Sequence, residues 1–132
     1  MSKTAVPAIS EAESRVMEVL WEHAPRGSEE VASALHAETG WHENTVRTLL
    51  NRLVRKRAVQ ATRDGRRFLY APLLAREQWQ ASESRSLLDR VFGGRVAPLL
   101  VHFSRNEKLS AKDVAALRKL VDELEKKDKR HG

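Results

Sequence analysis

The chain of 132 residues contains no cysteine. That absence excludes disulfide scaffolds, thiolate nucleophiles, iron–sulfur clusters and every cysteine-based zinc site, and it fits a reducing compartment, so cytoplasmic residence is expected. Long hydrophobic runs are missing as well. Uncharged apolar stretches are short; Val96 to Val101, for one, is only six residues and includes Pro98. Spanning a bilayer takes roughly 20, so no membrane insertion is expected. Met1 to Ala8 lacks the basic-then-apolar layout of a signal peptide. Signs of catalysis are equally scarce: there is no Gly-rich phosphate loop and no Gly-x-Ser-x-Gly elbow. The five histidines, His23, His36, His42, His102 and His131, form no i,i+4 pair around a glutamate. An enzyme is therefore not expected, and neither is a metal site or a cofactor. A metal-sensing regulator built from His23, His36 or His42 with a neighbouring glutamate is an alternative, against which the irregular spacing argues.

What the chain does have is positive charge, unevenly spread. Its formal charge is +6, with 24 basic and 18 acidic side chains. Residues 8–43 carry −6, residues 44–70 carry +7, and residues 71–132 carry +4. A 27-residue stretch thus holds more charge than the whole protein, which is a patch and not a diffuse bias. The partner it calls for is an anion. With 41% hydrophobic residues, a chain this short supports one modest core, or one domain and an appendage.

Periodicity supplies the architecture. Ser10-Glu11-Ala12-Glu13 has the spacing of a capping box and predicts a helix over 11–23, with Ala12, Val16, Val19, Leu20 and His23 on one stripe, widened by Met17 and Trp21. Pro25-Arg26-Gly27 ends it. Ser28 offers a second cap before a short helix with Val31, Ala34 and Leu35 inward, up to Gly40. A third helix, about 42–56, has Val46, Leu49, Leu50, Leu53 and Val54 as its apolar face. The period then changes to two: Val59, Ala61 and Arg63 alternate with Gln60 and Thr62, Asp64-Gly65 supplies a turn, and Phe68 and Tyr70 return on one side. Three helices and a basic ribbon compose a winged helix-turn-helix with a two-stranded β-wing. Residues 75–132 read as helical: 75–92 up to Gly93-Gly94, a piece around 98–104, and a last helix from Ser110 that frays from Glu125 onward. The expected fold is mainly α, with domains at 1–74, binding DNA, and 75–132, a helical dimerisation region.

On the third helix the inward residues leave Asn44, Arg47, Thr48, Asn51 and Arg55 along the opposite side, with Thr45 and Arg52 at its edges and His42 at its start. Arginine can bond two acceptors of guanine, asparagine can do the same for adenine, and a threonine methyl packs on thymine. Asn44 to Thr48 are expected to specify sequence in double-stranded DNA, Arg52 and Arg55 to hold phosphates, and Arg63, Arg66 and Arg67 on the wing to grip the flanking backbone. In the appendage, Val114, Leu117, Val121 and Leu124 form a short seam, with Leu87, Leu88 and Val91 on the earlier helix. Three thin helices do not bury themselves, so pairing with a second copy is expected. A winged helix whose basic face docks an acidic protein is the other alternative.

The runs ISEAE at Ile9 to Glu13, VMEVLW at Val16 to Trp21, TGW at Thr39 to Trp41, TVRTLLNRL at Thr45 to Leu53 and ESRSLLDRVFGG at Glu83 to Gly94 carry a resemblance in order and spacing. Over residues 9–125 the chain resembles the penicillinase-repressor (BlaI/MecI) family. The resemblance implies a homodimeric repressor of a palindromic operator, inactivated in its best-known members when a membrane sensor signals its proteolysis; antibiotic resistance is one possible setting. Departures from the family pattern are specific. Arg47 stands where a lysine is common, replacing a point charge with a planar fork. His42 stands where a small hydroxyl residue often caps the helix. The family's cleavage point is an asparagine–phenylalanine pair, matched here by His102-Phe103. The copper-responsive branch uses a C-terminal cysteine cluster that this chain does not have.

Overall fold

The computed structural model describes residues 6–106 and 109–131. Most of the Met1 to Ala8 stretch, and Gly132 at the end of the polar run, lie outside the described residues. Helix α1 (Glu11–Glu22) starts on the expected capping box: the Glu13 amide donates to Ser10 Oγ at 3.1 Å, and the Ser10 amide donates to Glu13 Oε1 at 2.8 Å. It stops at His23, which is extended and exposed instead of closing the inward stripe. Helix α2 (Ser28–Thr39) begins one residue earlier than a Ser28 cap allows. Gly27 is the cap, and its amide donates to Glu30 Oε1 at 3.2 Å. Its buried face is Val31, Ala32 and Leu35, while Ala34 lies on the open groove between α1 and α2 and is exposed.

Helix α3 (Glu43–Arg55) buries Val46, Leu49, Leu50 and Leu53, and three of these four are wholly inaccessible. Each such side chain contributes about 1.5–3 kcal/mol relative to exposure. Its end is set by Arg57, which takes a left-handed φ of 63° so that the Ala58 amide can reach the Leu53 carbonyl at 2.9 Å. A glycine is the usual occupant of such a position, and nothing in the local sequence announces an arginine there.

Strands β1 (Val59–Asp64) and β2 (Arg67–Pro72) pair antiparallel, with Ala61 opposite Tyr70 and Asp64 opposite Arg67. The two loop residues are consequently Gly65 and Arg66, one step later than Asp64-Gly65 suggests. Beyond the hairpin, Arg26 and Tyr70 exchange backbone hydrogen bonds at 3.0 and 2.8 Å, tying the α1–α2 connection to β2.

Helices α4 (Arg76–Phe92), α5 (Val96–Asn106) and α6 (Ala111–His131) follow. The chain divides into two compact units at Glu83/Ser84, inside α4 and later than the 74/75 boundary read from the sequence. The reason lies in the first turns of α4. Trp79 packs on Trp21 with ring centroids 5.5 Å apart, and the Arg76 guanidinium bonds Glu18 at 2.9 Å and lies 5.5 Å from the Trp21 ring. In the second unit Gly93 and Gly94, at φ 59° and 80°, end α4 in a conformation that side chains resist. Ser110 Oγ accepts from the Asp113 amide at 3.0 Å to start α6. That helix stays regular through the expected fraying region to His131.

Among the described residues of the first unit one charged side chain is buried, Glu13, at 1% exposure. Lys56 Nζ donates to it at 2.5 Å and also to the Ala8 carbonyl at 2.8 Å, fastening the end of α3 to the start of α1. Burial pushes the Glu13 carboxyl up, but the Lys56 ammonium together with the Ser10 amide and hydroxyl outweighs it and holds the group below its ordinary value of 4.5. A carboxyl lowered on folding stabilises fully above its unfolded value and ceases to do so as pH falls through the folded one. Glu13→Gln is therefore expected to lower stability at pH 7 by about 1–3 kcal/mol, toward the low end because Lys56 is partly exposed. Urea unfolding at pH 7 and again below pH 4 checks this, since the gap between variant and parent should narrow in acid.

Candidate nucleic-acid interface

The inward packing of Val46, Leu49, Leu50 and Leu53 fixes the rotation of α3, and every polar residue singled out on its other side is exposed: Asn44, Thr45, Arg47, Thr48, Asn51, Arg52 and Arg55. His42 caps α3 through its backbone only, its carbonyl accepting from the Thr45 and Val46 amides at 3.1 and 3.2 Å. The Thr48 hydroxyl donates to the Asn44 carbonyl at 3.0 Å, which leaves the methyl as its free contact group. Arg47 is paired along the helix with Glu43 at 2.5 Å. Among the described residues Arg52 and Arg55 have no acidic partner.

The wing comes up beside this face. Between them lies an open cleft of about 480 Å³, lined by Arg47 and Asn51 from α3, Arg66, Arg67, Phe68 and Tyr70 from the wing, and Ser28 and Glu29 from the start of α2. Four of the residues expected to touch DNA thus meet in one concavity: Arg47, Asn51, Arg66 and Arg67. Arg63 does not line it. Its Nε donates to the Gly65 carbonyl at 3.2 Å and its guanidinium stacks 5.9 Å from the Phe68 ring, so it braces the wing. Arg67 reaches Glu30 at 3.3 Å and Asp64 at 3.9 Å.

Sequence reasoning missed the carboxylates and Phe68. Glu43 was findable, since it stands four residues before Arg47. Glu30 was not, because it meets Arg67 across 37 residues of sequence.

The second unit has a different surface. None of its described residues is buried. Leu87, Val91, Val114, Val121 and Leu124 are 40–56% exposed, and Leu88 and Leu117 are half-buried. His102 and Phe103 lie within α5, where the His102 carbonyl accepts from Asn106 Nδ2 at 3.0 Å and the two rings meet edge to face at 6.2 Å.

Comparison with known proteins agrees with this geometry. The family model described as penicillinase repressor matches residues 9–123. The penicillinase repressor of Bacillus licheniformis is 31% identical over 124 residues, covering 94% of this chain and 97% of that protein. The methicillin resistance regulatory protein MecI of Staphylococcus aureus strain N315 is 25% identical, covering 86% of this chain and 93% of its own. The solution structure of the DNA-binding domain of the repressor BlaI is 34% identical and superposes with a TM-score of 0.51, covering 58% of this chain and 93% of that domain. With the family model spanning most of its length and a winged helix carrying its basic face, this chain belongs to the penicillinase repressor family and is a DNA-binding transcriptional repressor, not an enzyme.

Proposed function

We propose that two copies of the chain bind a two-fold symmetric DNA operator, each laying α3 into the major groove of one half-site. Asn44, Thr45, Arg47, Thr48 and Asn51 read base edges, with His42 at the entry to the helix. Arg52, Arg55, Arg66 and Arg67 hold phosphates, and Arg63 keeps the wing in shape while adding its charge. The observation that carries this reading is the single cleft in which the α3 side chains and the wing arginines converge. The second unit supplies the pairing surface, because its seam of Val114, Leu117, Val121 and Leu124, with Leu87, Leu88 and Val91, has too little partner within the unit. A DNA ligand implies work in the cytoplasm. Release from the operator follows proteolysis at His102-Phe103, signalled by a membrane sensor, and the genes controlled include resistance genes of the kind named for the relatives.

The test is a mobility-shift titration on the DNA upstream of the protein's own gene. Arg47→Ala should weaken binding by about 1–3 kcal/mol and relax preference at one position of each half-site. Arg67→Ala should weaken all sequences alike and flatten the salt dependence. Unchanged discrimination by Arg47→Ala would remove that residue from base reading.

A further inference from the structure

Two of the arginines in the DNA-facing cleft are tied to carboxylates of their own chain: Arg47 to Glu43 and Arg67 to Glu30, whereas Arg66, which lines the same cleft, has no acidic partner among the described residues. The Glu43 pair is the tighter, at 2.5 Å against 3.3 Å, and the Glu43 side chain is only 32% exposed. Glu43 is the first residue of α3, the end that goes deepest into a groove. A carboxylate there is repelled by phosphates on either side, so it lowers affinity for DNA of every sequence. Its return has to come from somewhere other than attraction.

We propose that Glu43 is a specificity-determining residue of the DNA interface: by holding the Arg47 guanidinium against α3 it withholds that arginine from phosphates and presents its remaining donors to guanine. The inference rests on the reading that α3 enters the major groove. An arginine carries five N–H donors in a planar fork, so donating one bond to Glu43 leaves enough for a two-point contact with guanine O6 and N7. A phosphate draws an unbraced arginine wherever the backbone passes, on any sequence. Braced, Arg47 must break its pair to make that contact, and non-cognate DNA is bound less well. The order of the pair, acid four residues before base, is also the favourable one along a helix, so the brace persists in the free protein.

The experiment runs selection from a random duplex library with four full-length chains: the parent, Arg47→Ala, Glu43→Gln and Glu43→Asp. The recovered parental site and a shuffled duplex of the same length then serve as titration probes across a salt series. Arg47→Ala identifies the position that Arg47 reads. Glu43→Gln should lose preference at that same position, with discrimination between site and shuffled duplex falling about tenfold, mostly through tighter binding to the shuffled duplex. Its salt slope should steepen by about 0.9. Glu43→Asp keeps a carboxylate that can still pair with an arginine four residues on, so it should recover part of the preference that Glu43→Gln loses. Glu11→Gln, which makes the same charge change on α1 next to Arg15, should leave discrimination unaltered. Full preference in Glu43→Gln, or no recovery at all in Glu43→Asp, overturns the proposal and leaves Glu43 as a helix-dipole residue. A selection by Arg47→Ala identical to the parent's would instead overturn the groove reading underneath it. Thermal unfolding of each variant separates loss of fold from loss of preference.

Discussion

The double variant Leu117→Asp and Leu124→Asp is expected to sediment as a monomer and to bind a full operator about a hundredfold more weakly than the parent, with unit 1 still folded. One winged helix touches one half-site, and a two-fold pair reaches two half-sites about 10 base pairs apart. Once one half is bound, the second contact becomes intramolecular, which raises apparent affinity by about a hundredfold or more with no new base contact. In the isolated chain Leu124 is 55% exposed and Leu117 half-buried, so aspartates there meet water and leave the core of Val16, Leu20, Leu50 and Leu53 alone. Only association would bury the new charges without partners, and that opposes association strongly. Analytical ultracentrifugation with operator titration decides the matter. A variant that still sediments as a dimer means the seam is not the interface, and a monomer that binds as tightly as before means pairing is not the source of affinity.

Severing the chain at His102-Phe103 is expected to have a comparable effect, because it separates α6 and most of the apolar seam from the winged helix. Mass spectrometry of protein from induced cells should show a fragment ending near residue 102, while persistence of the full-length chain during complete derepression would exclude this route. The bond lies in the middle of α5, with the His102 carbonyl engaged by the Asn106 side chain, so a protease must wait for a local opening of that helix. Since the family's pair is asparagine–phenylalanine, His102→Asn should increase the rate of cleavage in cells that contain the sensor. Equal rates for both residues would show that the helix, and not the histidine, limits cutting.

What was legible in the sequence were features written within a turn or two of chain. The capping box of Ser10 and Glu13, the inward face of α3 and the alternation of the wing each depend on neighbours a few positions apart, and each is present. What escaped depends on distant partners or on one-residue choices of register. The Lys56 bond to Glu13 spans 43 positions, and Trp79 joins unit 1 only because Trp21 is there to receive it. Gly27 displaced Ser28 as the cap of α2 because Glu30 reaches back to the Gly27 amide, a competition that the serine alone does not reveal. Of the site, the exposed arginines were readable from the helical period. Their carboxylate partners fix what each arginine is free to do, and of these Glu43 and Asp64 had a local signal, four and three residues before their arginines, while Glu30 had none.

The exchange of backbone hydrogen bonds between Arg26 and Tyr70 has a bearing on solubility. A two-stranded ribbon ordinarily offers two open edges, and each is a template for recruiting a strand from another molecule. Here Arg26 occupies the β2 edge at Tyr70, near the root of the wing where the ribbon is most apolar. The tip of the wing extends away bearing Arg63, Asp64, Arg66 and Arg67, whose charges discourage stacking against a second copy. A DNA-binding protein crowded onto neighbouring sites can thereby keep its strands to itself.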